Sequence, residues 1–173
     1  MRAVFLDRDG TVTVGVPKYE RVDSVDKVEL LPKVLKGLKV LAGLDYEIFF
    51  VTNQSGIGEG IISVADFEIN NKVLELIAPS GIKIIETYFC PHAGEGECDC
   101  RKPKPKMLLD AARKYDINLS QSYMVGDRLT DVETGINAGT KTIFVQTGAE
   151  TVAPGATYTA KDLLEATRYI AEH

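Results

Sequence analysis

The apolar residues of this chain fall into short runs that alternate with segments of helical periodicity. The runs are apolar at consecutive positions rather than at every second one, as in Ala3 to Leu6. Between them, apolar side chains recur at the three- and four-residue spacing of a helix, for example across Lys33 to Leu44. Strands that alternate with helices and are apolar throughout predict a parallel sheet covered by helices on both faces.

The pattern predicts the bounds of these elements. The predicted strands are Ala3 to Leu6, Ile48 to Val51, Ile82 to Phe89, Tyr123 to Val125 and Thr142 to Val145. The predicted helices are Lys33 to Leu44, one with Ser63 as its N-cap, Lys106 to Tyr115, Thr130 to Ala138 and Lys161 to Ala171. We therefore expect an α/β, Rossmann-like fold that forms a single domain over residues 1–173, in which Gly148 to Ala156 is a loop.

Composition narrows the class of protein. The chain has 173 residues, of which 45% are hydrophobic, and this is enough for one substantial core. Its apolar stretches fall well short of the roughly 18 residues that a membrane span requires. The net charge of −5 argues against a general affinity for nucleic acid. We expect a cytoplasmic monomer that binds neither nucleic acid nor membrane and acts on a small phosphorylated metabolite.

Two aspartates follow the first predicted strand. Asp7 comes directly after it and Asp9 lies two positions on, where the carboxyl ends of parallel strands form the ligand crevice. Hydrolysis of phosphate esters needs acceleration on the order of 10²¹-fold, so both a nucleophile and a proton donor are required. We predict that Asp7 is the ionised nucleophile and that Asp9 protonates the departing alkoxide and then activates water.

Other strand ends supply phosphate and metal ligands. Thr52 ends the second strand, and its hydroxyl, with the following amides from Asn53 onward, can hold phosphoryl oxygens. Arg101 and Lys102 bring cations that can neutralise the transferring group. Asp127 follows the fourth strand and is a candidate ligand for Mg²⁺, which prefers oxygen ligands. Each motif alone could be an ordinary turn, but four in order at strand ends leave that interpretation little room.

The ordered set DxDGT, strand-terminal Thr, Lys and GDxxxD resembles the four signature motifs of the haloacid dehalogenase superfamily, over nearly the whole chain. The resemblance implies that Asp9 is also a metal ligand through its backbone carbonyl. It further implies that Asp131, with Arg128 nearby, supports the loop around Asp127. We expect the acidic side chains at positions 7, 9 and 127 to converge around one Mg²⁺.

Three cysteines and a histidine are concentrated in a loop over residues 90–102. Three thiolates and one imidazole make a closed tetrahedral shell, which predicts a structural Zn²⁺. A disulfide and simple core cysteines are the alternatives, but the first suits a cytosolic protein poorly and the second suits a polar loop poorly. Zinc would fix the direction of the neighbouring Arg101 and Lys102. The candidate ligands are Cys90, His92, Cys98 and Cys100.

The substrate is constrained by the short spacing between motifs. Since Asp7 and Thr52 are 45 positions apart, we expect no large cap domain, so selectivity comes from Thr13 to Tyr19, Gln54 to Gly60 and Arg101. The stretches CPH…CDCRKPKP and VTNQSGIGEG resemble the branch that contains D-glycero-D-manno-heptose 1,7-bisphosphate phosphatases and histidinol-phosphate phosphatases.

Charge favours the first of these substrates. Val14 to Tyr19 has no acid for the ammonium of histidinol phosphate and includes Lys18, which favours the heptose bisphosphate and a role in carbohydrate metabolism. Histidinol phosphate remains the alternative substrate. A non-catalytic module that binds a phosphate ligand is an alternative of another class, and phosphotransfer to an acceptor other than water is a third.

Overall fold

The computed structural model describes residues 1–14, 25, 28–54, 65–92, 98–148 and 150–173, without the side chains of 65–67. Among these residues, no helix has the length and apolarity that crossing a membrane would need. The strands and helices in chain order are β1 (Ala3–Leu6), α1 (Val34–Ala42), β2 (Glu47–Asn53), α2 (Ala65–Ile77), β3 (Ile84–Cys90), α3 (Lys106–Tyr115), β4 (Tyr123–Gly126), α4 (Leu129–Ala138), β5 (Lys141–Val145), β6 (Tyr158–Ala160) and α5 (Leu163–Glu172).

The strands form one parallel sheet in the order β3-β2-β1-β4-β5-β6. The chain extends from β1 to one side through β2 and β3 and then returns to the other side of β1 at β4. Ligands of such sheets bind where the strand order reverses, outside the carboxyl ends of the strands. The binding crevice is therefore expected outside the carboxyl ends of the neighbouring strands β1 and β4. The predicted α/β fold is confirmed.

Both faces of the sheet are covered, which explains why the strands are apolar throughout. Val4 and Leu6 of β1 pack in the cluster that contains residues of α1, α2 and α5. Ala3 and Phe5 of the same strand pack in a second cluster with residues of α3. Because successive side chains of a strand point to opposite faces, every position of β1 must be apolar.

The sequence pattern missed the sixth strand. Tyr158–Ala160 has three residues at the edge of the sheet, and only Ala160 is buried, so it lacks the apolar run that identified the others. The Ser63 N-cap lies outside the described residues. Residues 15–19, which include Lys18, and residues 55–60 also lie outside the described residues. They make up most of the two segments expected to select the substrate.

Candidate active site

Three aspartates meet at the carboxyl ends of β1 and β4. Asp7 follows β1, and its backbone N–H donates to the carbonyl of Val125 in β4 at 2.9 Å. Asp7, Asp127 and Asp131 each place a carboxylate oxygen within 4.8 Å of the others, and all three residues are buried. Oxygen ligands of this kind suit Mg²⁺. These three residues, hereafter the carboxylate cluster, form a candidate metal centre.

A buried lysine balances part of the negative charge of this cluster. Lys102 Nζ donates to Asp7 Oδ1 at 2.5 Å and to Val51 O at 3.1 Å. It also forms an ion pair with Asp131 Oδ1 at 2.6 Å. Lys102 therefore fixes the direction of the Asp7 carboxylate and pairs with Asp131 at the same time.

Burial perturbs the ionisation of these groups. It raises the pKa of Asp7 to about 6, against the opposing charge of Lys102. Burial, followed by the charge of Asp7, raises the pKa of Asp127 to about 6, and burial also raises the pKa of Asp131. For Lys102, burial acts to lower the pKa, but the carboxylates of Asp131 and Asp7 raise it above its ordinary value. A divalent cation would relieve the excess negative charge.

At three positions next to the carboxylates, only glycine leaves enough room for them. A Cβ at Gly148 would lie 1.7 Å from Asp127 Oδ2, and a Cβ at Gly10 would lie 2.4 Å from the same atom. A Cβ at Gly126 would lie 2.2 Å from Asp131 Oδ2. Gly10 also has a φ of +94°, which favours glycine. Any side chain at these three positions would displace a carboxylate of the cluster.

Asp9 lies outside the carboxylate cluster. Its Oδ1 accepts from Arg8 Nε at 3.0 Å and Thr13 Oγ1 at 3.0 Å, and its Oδ2 accepts from Arg8 Nη2 at 2.9 Å and Gln54 Nε2 at 2.8 Å. Burial acts to raise the pKa of Asp9, but the Arg8 guanidinium and these hydrogen bonds lower it below its ordinary value. These contacts therefore stabilise the ionised form of Asp9 in the site without substrate.

This geometry corrects the expected convergence on one cation. The prediction is wrong for the side chain of Asp9, because its hydrogen bonds to Arg8, Thr13 and Gln54 hold it outside the cluster. Asp131 stands in the cluster instead. Its Oδ2 also accepts from Arg128 N at 3.0 Å at the start of α4. A metal contact through the backbone carbonyl of Asp9 stays a prediction.

The end of β2 brings Thr52 and Asn53 to the same edge of the sheet. Thr52 is buried, and its Oγ1 accepts from Gln54 Nε2 at 2.9 Å. Asn53 Oδ1 accepts from Lys102 N at 3.0 Å, and Asn53 Nδ2 donates to Lys102 O at 3.2 Å. The Asn53 side chain is thus engaged with the Lys102 backbone. A phosphate contact at Asn53 would therefore be made by the backbone amide of Asn53.

The cysteines and the histidine of the 90–102 loop also come together. Their four ligand atoms lie within 4.8 Å of one another. Cys90 Sγ lies 3.6 Å from Cys98 Sγ and 3.5 Å from His92 Nδ1, and Cys100 Sγ lies 3.3 Å from His92 Nδ1. A disulfide requires about 2.05 Å between sulfurs, and all three cysteines are free. The disulfide alternative is therefore excluded.

Arg101 joins this loop to the rest of the site. Its Nη1 donates to the carbonyl of His92 at 3.3 Å, and the next residue is Lys102, which pairs with Asp7 and Asp131 of the carboxylate cluster. Lys104 Nζ donates to the carbonyl of Cys98. The backbone that carries the two predicted cations is thus tied to the backbone of the Cys/His residues.

Sequence reasoning did not predict the contacts that several residues make in this site. Arg8, Thr13 and Gln54 surround Asp9, and Thr147 Oγ1 donates to Gly10 O at 2.6 Å. Thr147 and Gly148 lie just past the end of β5, so the rule that strand ends line the site could have found them. Arg8 and Thr13 gave no comparable signal.

Comparison with known proteins gives a consistent family. Residues 99–167 match the HAD-hydrolase-like family model. The chain is 36% identical to the D-glycero-β-D-manno-heptose-1,7-bisphosphate 7-phosphatase of Haemophilus influenzae, over 89% of this chain and 86% of that protein. It is 38% identical to the protein of the same name from Helicobacter pylori, over 81% of this chain and 80% of that protein.

A solved structure agrees with these relatives. The D,D-heptose 1,7-bisphosphate phosphatase of B. bronchiseptica, crystallised with magnesium and phosphate, superimposes with a TM-score of 0.89 at 32% identity and covers 99% of both chains. Sequence identity of this level over nearly the full length of both chains exceeds what a shared fold alone would give. The chain therefore belongs to the haloacid dehalogenase-like hydrolases, in the family of the heptose-bisphosphate phosphatases, and is a phosphoric monoester hydrolase.

Proposed function

We propose that this protein removes the 7-phosphate of D-glycero-D-manno-heptose 1,7-bisphosphate in a Mg²⁺-dependent reaction that passes through an aspartyl-phosphate on Asp7. One observation carries the proposal. Lys102 forms ion pairs with Asp7 and Asp131, and Asp127 lies close to both aspartates, at the carboxyl ends of β1 and β4. The relatives of this chain are named for this activity. Positioning and charge neutralisation of this kind are what phosphoryl transfer needs.

Asp7 acts as the nucleophile in this proposal. Because Lys102 holds Asp7 Oδ1, the other oxygen, Oδ2, attacks phosphorus while the ester P–O bond breaks. For this step Asp9 must carry a proton, and the negative charge of a phosphate bound beside it would raise its pKa and favour that form. The departing alkoxide takes this proton. Water then attacks the aspartyl-phosphate and gives a proton to Asp9, so that free phosphate leaves and both residues return to their starting states. The lowered pKa of Asp9 favours the ionised form that the second step requires.

Phosphate is held by donors at the strand ends. The Thr52 hydroxyl and the backbone amides that follow it would bind phosphoryl oxygens, and Lys102 would neutralise their charge. Arg101, which is partly exposed beside the cluster, would contact the substrate. A bisphosphate carries two anionic groups, so further cations near the crevice suit it better than they suit the ammonium of histidinol phosphate.

The donor set of the carboxylate cluster fits Mg²⁺. Its three carboxylates are buried and lie within 4.8 Å of one another, and two of them have a pKa raised to about 6. The side chains of Asp7, Asp127 and Asp131 and the backbone carbonyl of Asp9 would hold the ion. When bound, Mg²⁺ supplies positive charge that neutralises the transferring phosphoryl group.

The Cys/His residues fit Zn²⁺. With Zn–S bonds of about 2.3 Å and Zn–N bonds of about 2.05 Å, a tetrahedral site places two sulfurs about 3.8 Å apart and a sulfur and a nitrogen about 3.6 Å apart. The corresponding distances here are 3.6 Å for the sulfurs and 3.5 and 3.3 Å for sulfur to nitrogen. Cys90, His92, Cys98 and Cys100 would therefore hold a structural zinc that fixes Arg101 and Lys102.

Parallel assays of phosphate release test the proposed function. With Mg²⁺, kcat/KM should be higher for heptose 1,7-bisphosphate than for histidinol phosphate, and the product should keep its 1-phosphate. Higher kcat/KM for histidinol phosphate would reject the substrate. Binding without turnover would favour a phosphate-binding module, and loss of ester without free phosphate would favour transfer to another acceptor. Asp7→Asn should remain folded and lack turnover, because an amide is a far poorer nucleophile.

A further inference from the structure

One glutamine contacts two side chains to which the proposed mechanism gives separate tasks. Gln54 Nε2 donates to Asp9 Oδ2 at 2.8 Å and to Thr52 Oγ1 at 2.9 Å. A primary amide carries two N–H groups, so both bonds form at the same time. The Gln54 side chain therefore links the proposed acid/base group to the proposed phosphate-binding hydroxyl.

The backbone of Gln54 is held firmly enough to make this link rigid. Gln54 follows β2 directly, and its backbone N–H donates to the carbonyl of Cys90 at the end of β3 at 2.8 Å. Only 8% of the residue is exposed. A polar group placed by a buried strand end can hold its partners more precisely than one on a free loop.

The other side chains that donate to the Asp9 carboxylate are close to it in sequence. Arg8 and Thr13 belong to the same loop after β1 as Asp9. Gln54 lies 45 positions away on a different strand. Its hydrogen bond therefore fixes the Asp9 loop relative to the end of β2, where phosphate is proposed to bind.

The same amide also sets the direction of the Thr52 hydroxyl. Because Thr52 Oγ1 accepts from Gln54, its own hydrogen points away from the amide and is available to a phosphoryl oxygen. Without that donor, the hydroxyl can rotate among its staggered positions. Gln54 thus favours the rotamer in which Thr52 donates.

We propose that Gln54 is a positioning residue that fixes the Asp9 carboxylate in position relative to the phosphate-binding hydroxyl of Thr52. The proposal rests on the phosphatase function proposed above. It predicts that loss of the amide harms proton delivery to the leaving group more than it harms the fold. A residue that only fills space would not have this effect.

The test compares two esters in Gln54→Met, which keeps the length of the side chain and removes both donors. An alkyl phosphate needs a proton on its departing oxygen, whereas p-nitrophenyl phosphate leaves as a stable anion and depends less on proton donation. We expect kcat/KM for the alkyl ester to fall roughly tenfold to hundredfold, the range for one hydrogen bond to a charged group, and kcat/KM for the aryl ester to fall much less. Equal losses for both esters, or no loss, would overturn the proposal.

Two further variants separate this role from a structural one. Gln146 also directly follows a strand, β5, and its side chain is exposed, so Gln146→Met should leave both rates unchanged. In an Asp9→Asn background, Gln54→Met should cause little further loss on the alkyl ester, because both changes affect the same proton transfer. A full additional loss would mean that Gln54 acts independently of Asp9.

A binding measurement keeps this test distinct from that of the proposed function. Inorganic phosphate, titrated with Mg²⁺ present, should bind Gln54→Met several-fold more weakly than wild type, because the Thr52 hydroxyl is no longer directed. If wild type hydrolyses neither ester, the phosphatase proposal fails, and this titration still decides the role of Gln54 toward Thr52. Equal phosphate affinity in wild type and variant would overturn that role.

Discussion

Replacing Lys102 with methionine should destabilise the metal-free protein and increase its response to Mg²⁺. Lys102 Nζ lies 2.5 Å from Asp7 Oδ1 and 2.6 Å from Asp131 Oδ1, with side-chain exposures of 4%, 7% and 1% for the three residues. Breaking a buried ion pair by removing one partner costs about 3–5 kcal/mol. At about 2–4 °C per kcal/mol for a chain of this size, Tm should fall by roughly 6–20 °C.

The same change should make Mg²⁺ a stronger stabiliser. In wild type, the ammonium pairs with Asp7 and Asp131, the residues proposed to hold the divalent ion, so the lysine charge would oppose binding of the metal. In Lys102→Met, no ammonium balances the carboxylates, so the affinity for Mg²⁺ should be higher than in wild type. The stability gained on binding rises with that affinity. Thermal unfolding of both proteins in EDTA and in excess Mg²⁺, near neutral pH, measures the two effects. Turnover should be lost at the same time.

A surface lysine provides the matched control. Lys114 pairs with Glu86 at 2.9 Å, but its side chain is 55% exposed, and exposed pairs contribute about 0–1 kcal/mol. Lys114→Met should therefore change Tm by no more than a few degrees and leave the Mg²⁺ response as in wild type. If Lys102→Met behaves like this control in EDTA, or gains no more from Mg²⁺ than wild type does, then Lys102 does not balance the charge of the cluster.

Three other predictions follow from the site. Asn53→Ala removes both hydrogen bonds to the Lys102 backbone and should lower kcat by roughly ten- to thirtyfold, at about 1 kcal/mol for each bond; an unchanged kcat in steady-state kinetics would contradict the anchoring role. Cys98→Ser should weaken zinc binding and lower turnover with Mg²⁺ still bound; full turnover of a zinc-free protein would count against the link between the two sites. Affinity for Mg²⁺, measured by calorimetry, should be nearly constant above about pH 7 and begin to fall as the pH approaches 6. Below pH 6 it should fall by up to about tenfold per pH unit for each carboxylate, because protons compete for Asp7 and Asp127, whose pKa values are raised to about 6. An affinity that does not depend on pH below 6 would refute this competition.

The edge of the sheet that carries the site could be predicted because its signals are local. A buried strand is a short apolar run, and the residue after it lies at the carboxyl edge, so Asp7, Thr52 and Asp127 could be placed from neighbouring letters alone. The Cys/His set is likewise a local spacing. The strand Tyr158–Ala160 gave no such signal, since it is a short edge strand with one buried residue.

The partners of polar side chains could not be predicted in the same way. Asn53 and Gln54 are adjacent in sequence, yet Asn53 contacts the Lys102 backbone 49 positions away and Gln54 contacts Asp9 45 positions away. These pairings depend on how loops from three strands meet at one edge. A side-chain amide can form hydrogen bonds with a phosphate, a backbone group or a carboxylate equally well. The residue type alone therefore does not predict which of these partners it contacts.

The different positions of Asp9 and Asp131 follow from the cations beside them. Asp9 is next to Arg8, whose guanidinium makes two hydrogen bonds to its carboxylate, so its charge is balanced locally and gains less from a metal ion. Asp131 is paired with an ammonium that it shares with Asp7, and one lysine cannot balance three buried carboxylates. The excess negative charge therefore lies on Asp7, Asp127 and Asp131, as the proposed metal site requires, while Asp9 is left to the proposed proton transfer.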